Sequence, residues 1–348
     1  MKSRIYSSQN KILFLAMEEL FSKVKEDEFI DDYDFIIFAI SPQFNPKDVN
    51  KTIQKIFHTK NYLAFNAVKA FNNDKVISGV VGVFIKFENK GRVEINKPDE
   101  KDLNLIFLPY NENISVSEIL QKYQNTLVIG GIASGEKAYV YYDDKIIDDK
   151  PVVLTFKDVE YRFGISLGYK PIGPTYKVQV AKDNRVYVIN YEDATVIANR
   201  LLKNLDKDIR NLWYSPVNII SAKEYVDVVR TFKYIKDNEY VEFYGDISPG
   251  DMIKLSFATE VMLLEEDKKV AEKIREKMDY VELAFNFSCV AREYVLGDLQ
   301  KKEPEIYSRV LNSPLFGFFT YGEIGPNYDL SSIKLYNQTS LVVALKEK

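Results

Sequence analysis

A chain of 348 residues with one cysteine and one histidine leaves little room for several common chemistries. Cys289 alone excludes an intramolecular disulfide. With His58 as the only histidine, a structural zinc site of about four Cys/His ligands is excluded as well. A carboxylate-only magnesium site stays open, but the acidic pairs Asp31-Asp32 and Asp148-Asp149 read as solvated turn charges. Basic clusters are also lacking. Net charge is -4, the pI is near 5.5, and cations come in short pairs such as Lys268-Lys269 and Lys301-Lys302. Nucleic acid is therefore not an expected partner, because it calls for a concentrated basic patch. No run approaches the ~18 to 20 apolar residues of a membrane span. The opening stretch MKSRIYSSQNKILFLAMEEL meets Glu18 and Glu19 before it can form a signal-peptide core. The expectation is a cytoplasmic protein with neither a membrane nor a nucleic-acid partner.

What is present is an ordinary globular balance, 46% hydrophobic and 28% charged. Residues 11–24 place Leu13, Ala16, Met17, Leu20, Phe21 and Val24 on one helical face, with Ser7 or Ser8 as a cap. A pattern then recurs. Strand 33–41, a helix begun by Asn45-Pro46, strand 62–71 and strand 74–87 make a first unit. Strand 103–110, a helix from Ser115 or Ser117, strand 126–134 and strand 144–156 repeat the order. Strand 281–288, a helix to about Leu311 with a break at Pro304, strand 315–322 and strand 335–347 repeat it again. Three such copies predict an α/β fold of repeated β-α-β-β units, forming mixed sheets with flanking helices in two associated domains.

Between the second and third copies the pattern changes. Residues 166–190 read as a strand pair, 193–205 as a helix, and the segments at 224–235, 239–245 and 251–258 as antiparallel strands. A helix at 264–278 carries the core stripe Val270, Ile274 and Met278. The stretch NLWYSPVNII (211–220) is the expected boundary between domains at 12–215 and 216–348.

Ligands in open α/β sheets bind beyond the C-terminal ends of the strands. In the third unit those ends carry Ser288-Cys289-Val290-Ala291-Arg292 and Tyr321-Gly322-Glu323-Ile324-Gly325. Two readings of this convergence stand side by side. Arg292 and Glu323 pair with each other and brace the loops, or Arg292 takes a ligand carboxylate and Glu323 an ammonium. Cys289 is either a nucleophile at a helix start or a small apolar residue, and no base is evident beside it. Gly130-Gly131 lacks the spacing of a nucleotide-binding loop and reads as close packing or a cleft wall, so no cofactor is expected. Asn337, Gln338 and Thr339 put three polar side chains into a buried strand, where each needs a partner.

FNFSCVARE, LFGFFTYGEIGP and LYNQTSLVVAL resemble the three signature blocks of the FIST C-terminal domain. DFIIFAIS, TLVIGGIAS and LGYKPIGPTYKV are similar to the FIST N-terminal domain. The resemblance runs from about residue 12 to the C-terminus. It departs at FNAVKAF (65–71), where the family shows glycine, threonine and an acid. The resemblance implies a stand-alone sensory module in signal transduction, without catalysis. It binds a small polar ligand such as an amino acid and passes its output to a separate signalling protein. The residues expected to contact the ligand are Cys289, Arg292, Tyr321, Glu323, Asn337, Thr339, Gly130 and Gly131. The alternatives are a scaffold without ligand and an enzyme using Cys289.

Overall fold

The computed structural model describes residues 1–27, 32–202, 212–220, 228–327, 330 and 332–348. Asp31, residues 203–205 of one predicted helix, residue 211 and residues 224–227 of a predicted strand lie outside the described residues.

The first unit begins with β1 (Lys2–Ser8) and α1 (Leu13–Glu26). It continues through β2 (Phe35–Ile40), α2 (Pro46–Phe57), β3 (Tyr62–Asn66), a hairpin of β4 (Ala70–Asn72) and β5 (Lys75–Ile77), and β6 (Val80–Lys86). The second runs β7 (Arg92–Ile95), β8 (Leu103–Leu108), α3 (Val116–Gln121), β9 (Val128–Ile132), a hairpin of β10 (Val140–Tyr142) and β11 (Lys145–Ile147), and β12 (Val152–Lys157). After β13 (Val159–Ser166) comes an insertion. It holds β14 (Lys170–Lys182), β15 (Arg185–Ile189), β16 (Glu192–Asp193), α4 (Ala194–Leu201), β17 (Val217–Ile220), β18 (Val228–Lys236), β19 (Tyr240–Tyr244) and β20 (Met252–Phe257). The third unit follows with α5 (Glu260–Arg275), β21 (Leu283–Cys289), α6 (Val290–Leu296), α7 (Lys302–Leu311), β22 (Leu315–Thr320), a hairpin of β23 (Glu323–Pro326) and β24 (Ile333–Tyr336), and β25 (Ser340–Glu347).

The sheets show what the repeat is for. The strand orders are β1-β6-β2-β3-β10-β11, β7-β12-β8-β9-β23-β24 and β13-β25-β21-β22-β4-β5. In each, the first and second unit strands are parallel (β2/β3, β8/β9, β21/β22) and the returning strand is antiparallel. The sixth and fifth places belong to another unit's hairpin. The first unit's hairpin completes the third sheet, the second's completes the first, and the third's completes the second. The three units are thus interlocked in a ring.

The inner faces of these sheets share one core. Phe65 lies 4.8 Å from Phe107 and 4.5 Å from Phe318, and Phe107 lies 6.0 Å from Phe287, so each sheet contributes rings to one aromatic cluster. The outer faces are covered by α1 and α2, by α3, and by α5 and α7. Strands covered on both faces read as continuous apolar runs without alternation, which is why FIIFAI and LNLIFL are so oily. The insertion forms a seven-stranded sheet, β14-β20-β17-β18-β19-β15-β16, packed on α4.

Several expectations need correction. The runs at 62–71, 74–87, 144–156 and 335–347 each split, because a short strand of one sheet abuts a strand of another. Hydrophobicity cannot mark where a chain changes sheet. Ser7 and Ser8 belong to β1, and α1 has no side-chain cap. The third-unit helix breaks at Gly297, whose φ of 51° lies in the left-handed region, and not at Pro304. Pro304 sits in the first turn of α7, where its missing N–H costs no helical bond. Residues 217–220 of the expected boundary are the inner strand β17, and the seven-stranded sheet takes strands from both sides of residue 216.

The hairpin exchange predicts that residues 1–193 expressed alone lack the strands that finish the second sheet. Circular dichroism should show no cooperative thermal transition for that fragment. A sharp melt would mean that the exchange is dispensable.

Candidate functional site

An opening lies at the C-terminal strand ends of the second and third units, where the seven-stranded sheet leans against them. A cavity of about 830 Å³ is bounded there by the end of β8, the segment after β9, the start of α6, the turn after β22 and the strands β15, β18 and β19. This volume falls within the usual range for small-molecule sites. Cys289, Tyr321 and Asn337 line it, as do Tyr110, Trp213 and Thr231. Arg292, Glu323, Thr339, Gly130 and Gly131 lie outside its wall.

Arg292 and Glu323 do not pair with each other. Arg292 is fully buried, and its Nη2 donates to both carboxylate oxygens of Asp267 on α5, at 2.8 and 2.7 Å. Its Nε donates to Glu303 on α7 at 3.1 Å. The Tyr307 hydroxyl adds a bond to Asp267 at 3.0 Å. Two buried carboxylates thus face one buried guanidinium. Burial and the charge of Glu303 push the Asp267 carboxyl up, against the pull of Arg292. The guanidinium itself stays cationic: burial works against its charge, but the carboxylates overcome that.

Glu323 is also fully buried, in the first residue of the donated hairpin. Its carboxylate accepts from the Thr320 hydroxyl at 2.5 Å, and from the Thr339 hydroxyl and amide at 2.7 and 3.2 Å. Thr320 is where the chain leaves the third sheet, and Thr339 is where it returns. Glu323 therefore clamps both ends of the excursion. Burial raises its pKa to about 8, although these donors and the Arg292 charge pull it down. The hydroxyls can accept as well as donate, so the neutral acid keeps both contacts. The glycines beside it serve close packing. A Cβ on Gly130 would fall 1.8 Å from the Ile106 carbonyl, and one on Gly131 2.6 Å from the Thr320 methyl.

The three polar residues of the last loop divide in an informative way. Gln338 has a φ of 62°, a strained value for a side chain other than glycine. Its amide accepts from the Tyr169 hydroxyl at 2.7 Å and donates to the Trp213 carbonyl at 2.8 Å. Thr339 is held by Glu323. Asn337, only 3% exposed, lines the cavity, and its Oδ1 has no hydrogen-bond partner among the described residues. Trp213 and Thr231 line the same wall, and the buried Trp213 Nε1 and Thr231 Oγ1 likewise have no partner among the described residues. Such orphans are costly when buried. Nothing in the sequence marked Trp213, Thr231 or Tyr110, because the insertion that supplies two of them has no fixed place until it folds over the strand ends.

Cys289 caps α6 without a side-chain bond, and burial together with the nearby Glu323 charge raises its thiol pKa far above the ordinary range. Tyr321 packs edge-on to Tyr110 at 4.9 Å. Of the charged groups in the wall, Glu242 accepts from Arg185 at 3.2 Å and Lys233 at 2.7 Å. Glu112 and Glu136 stand exposed at the rim.

Residues 34–192 match the FIST N domain and residues 194–326 match the FIST C domain. A protein of Aquifex aeolicus (strain VF5) with the name "Uncharacterized protein" is 29% identical over 263 residues, a match covering 64% of this chain and 96% of that protein.

Two outcomes follow from the buried carboxyls and the thiol. Glu323 and Asp267 hold their protons more tightly in the folded chain than unfolded, where carboxyls titrate near 4. The unfolded chain then binds fewer protons across this window, so stability falls as pH rises from about 4 to about 8. Thermal melts at pH 5.5 and 8.5 should show a Tm lower at pH 8.5 by at least ~2 °C, and Glu323→Gln should flatten that slope. An unchanged slope in the variant would remove Glu323 as its source. Iodoacetamide at pH 7 should leave native Cys289 unlabelled and modify it fully in urea; rapid native labelling would restore the thiol as a nucleophile.

Proposed function

The chain belongs to the FIST family, with both its N and C domains, and from that premise we propose that it senses a small polar molecule held in the cavity beneath the seven-stranded sheet. FIST domains are sensory domains for small ligands in signalling. The observation that carries the reading to a particular site is Asn337. Its two loop neighbours are bonded inside the protein, while Asn337 lines a cavity and its buried Oδ1 has no partner among the described residues. A protein that bound nothing would gain from an apolar residue there.

In this reading Asn337, Tyr321 and Cys289 contact the ligand, as do Trp213 and Thr231. Arg292, Glu323, Thr339, Gly130 and Gly131 shape the wall from behind. An amino acid remains within the class, but its carboxylate would not reach Arg292, whose charge is already met by Asp267 and Glu303. The same arrangement offers a route for the signal. The first residues of α6 line the cavity, and Arg292 on that helix ties it to α5 and α7 on the outer surface. A shift of α6 would be felt at that surface, where a cytoplasmic signalling partner would read it. Catalysis has no support from the buried, high-pKa thiol.

A thermal-shift screen against amino acids, nucleobases and other small metabolites tests this. A ligand at ~100 times its Kd stabilises the chain by about 2.7 kcal/mol. The shift should vanish in Asn337→Ala, a variant expected to fold normally. Arg292→Ala is expected to behave differently. It leaves buried carboxylates unpaired, should cost about 3–5 kcal/mol, and should lower Tm without any ligand. A ligand whose shift survives Asn337→Ala would place binding elsewhere.

A further inference from the structure

Resting on that reading, the chemistry of the wall narrows the ligand. We infer that the cavity takes an uncharged planar heterocycle with a hydrogen-bond donor beside an acceptor, the chemistry of a nucleobase. Three features carry this.

The first is the amide of Asn337. In either orientation a carboxamide presents a donor and an acceptor side by side, the pattern that Asn uses to grip an adenine edge with two bonds. It is buried and its Oδ1 has no partner among the described residues. The Trp213 N–H and the Thr231 hydroxyl, both buried, also have no partner among the described residues. A ligand must therefore bring both donors and acceptors, as a nucleobase does around its rim.

The second is charge. The cations in the wall, Arg185 and Lys233, are both bonded to Glu242, and with Glu112 and Glu136 three carboxylates stand against two cations, so the lining carries no net positive charge to attract a carboxylate or phosphate. The carboxylates Glu112 and Glu136 at the rim would repel an anion on its way in. An uncharged ligand enters without that cost, and a phosphorylated one pays it.

The third is shape. Tyr110 and Tyr321 meet edge to face at 4.9 Å, and Trp213, edge-on to Tyr294 at 5.6 Å, lines the same cavity. Aromatic faces stack readily on bases, whereas a small aliphatic amino acid offers these rings no face to stack on. The strained Gln338 backbone, fixed by Tyr169 and the Trp213 carbonyl, holds Asn337 ready before any ligand arrives.

Isothermal calorimetry on the full chain tests the inference with adenine, hypoxanthine, cytosine, uracil, adenosine and AMP, and with alanine, glutamate and putrescine as contrasts. At least one base should bind with Kd below ~100 µM. AMP should bind at least tenfold more weakly than adenosine. Trp213→Phe, which keeps a ring and loses the N–H, should weaken the best base about tenfold, and Asn337→Ala should abolish its binding. Binding of alanine, glutamate or putrescine with no response to any base would overturn the inference and leave the sensory reading intact. Silence from the four bases and adenosine would also overturn it. Equal affinity for AMP and adenosine would contradict the charge argument.

Discussion

The exchange of hairpins is the constraint on which the rest of the molecule depends. No sheet in the three-unit body is finished by its own segment of chain. Each unit's second parallel strand is left with an open edge, and an open edge in the interior would strand a row of backbone donors and acceptors. The neighbouring hairpin satisfies that row. Because the donation runs in a ring, the first unit cannot be completed without the second, nor the second without the third. The family's N and C domains are therefore not two bodies joined by a linker. They share sheets in both directions, through the 70–77 hairpin and the 323–336 hairpin.

This arrangement explains the carboxylate between glycines in TYGEIG. A chain that leaves one sheet, serves another and returns must fix its point of departure and its point of return close together. Glu323 does so with one side chain, taking hydrogen bonds from Thr320 on the way out and Thr339 on the way back. The corresponding corner of the first unit uses an amide. Asn66 accepts from the Tyr139 backbone and the Tyr141 hydroxyl at the incoming hairpin. Once the return loop is fixed, its polar residues have set directions. Gln338 and Thr339 turn inward and Asn337 turns to the cavity. The candidate site is a by-product of how the ring is closed.

Much of this was legible in the sequence. The threefold order of strand, helix and strand could be read because parallel strands covered on both faces are long, apolar and β-branched. Asn45-Pro46 marked its helix start correctly, with the Asn45 side chain accepting from the Lys47 amide. The hairpins were not legible as hairpins. Strands of three residues such as AFN and VYY carry too little pattern, and only pairing partners distant in sequence reveal their sheet. For the site, the convergence of adjacent strand ends pointed to Arg292 and Glu323 as a charge pair or as two contacts of one ligand. It could not show that Asp267 and Glu303, on two other helices, would arrive first. Cys289, Tyr321 and Asn337 do line the cavity, because strand ends stay strand ends whatever covers them. Trp213 and Thr231 come from the insertion, and nothing local to them announces that they will face those ends.

The measurement closest to the central claim uses the single tryptophan of the chain. Trp213 lies in the cavity wall, so its emission responds to occupancy of that cavity. Titration with a molecule that raises Tm should change the Trp213 emission saturably, with the same Kd as calorimetry, and the change should be absent in Asn337→Ala. A molecule that stabilises the protein while Trp213 emission stays constant would bind somewhere else, and the cavity would lose its claim to be the sensory site.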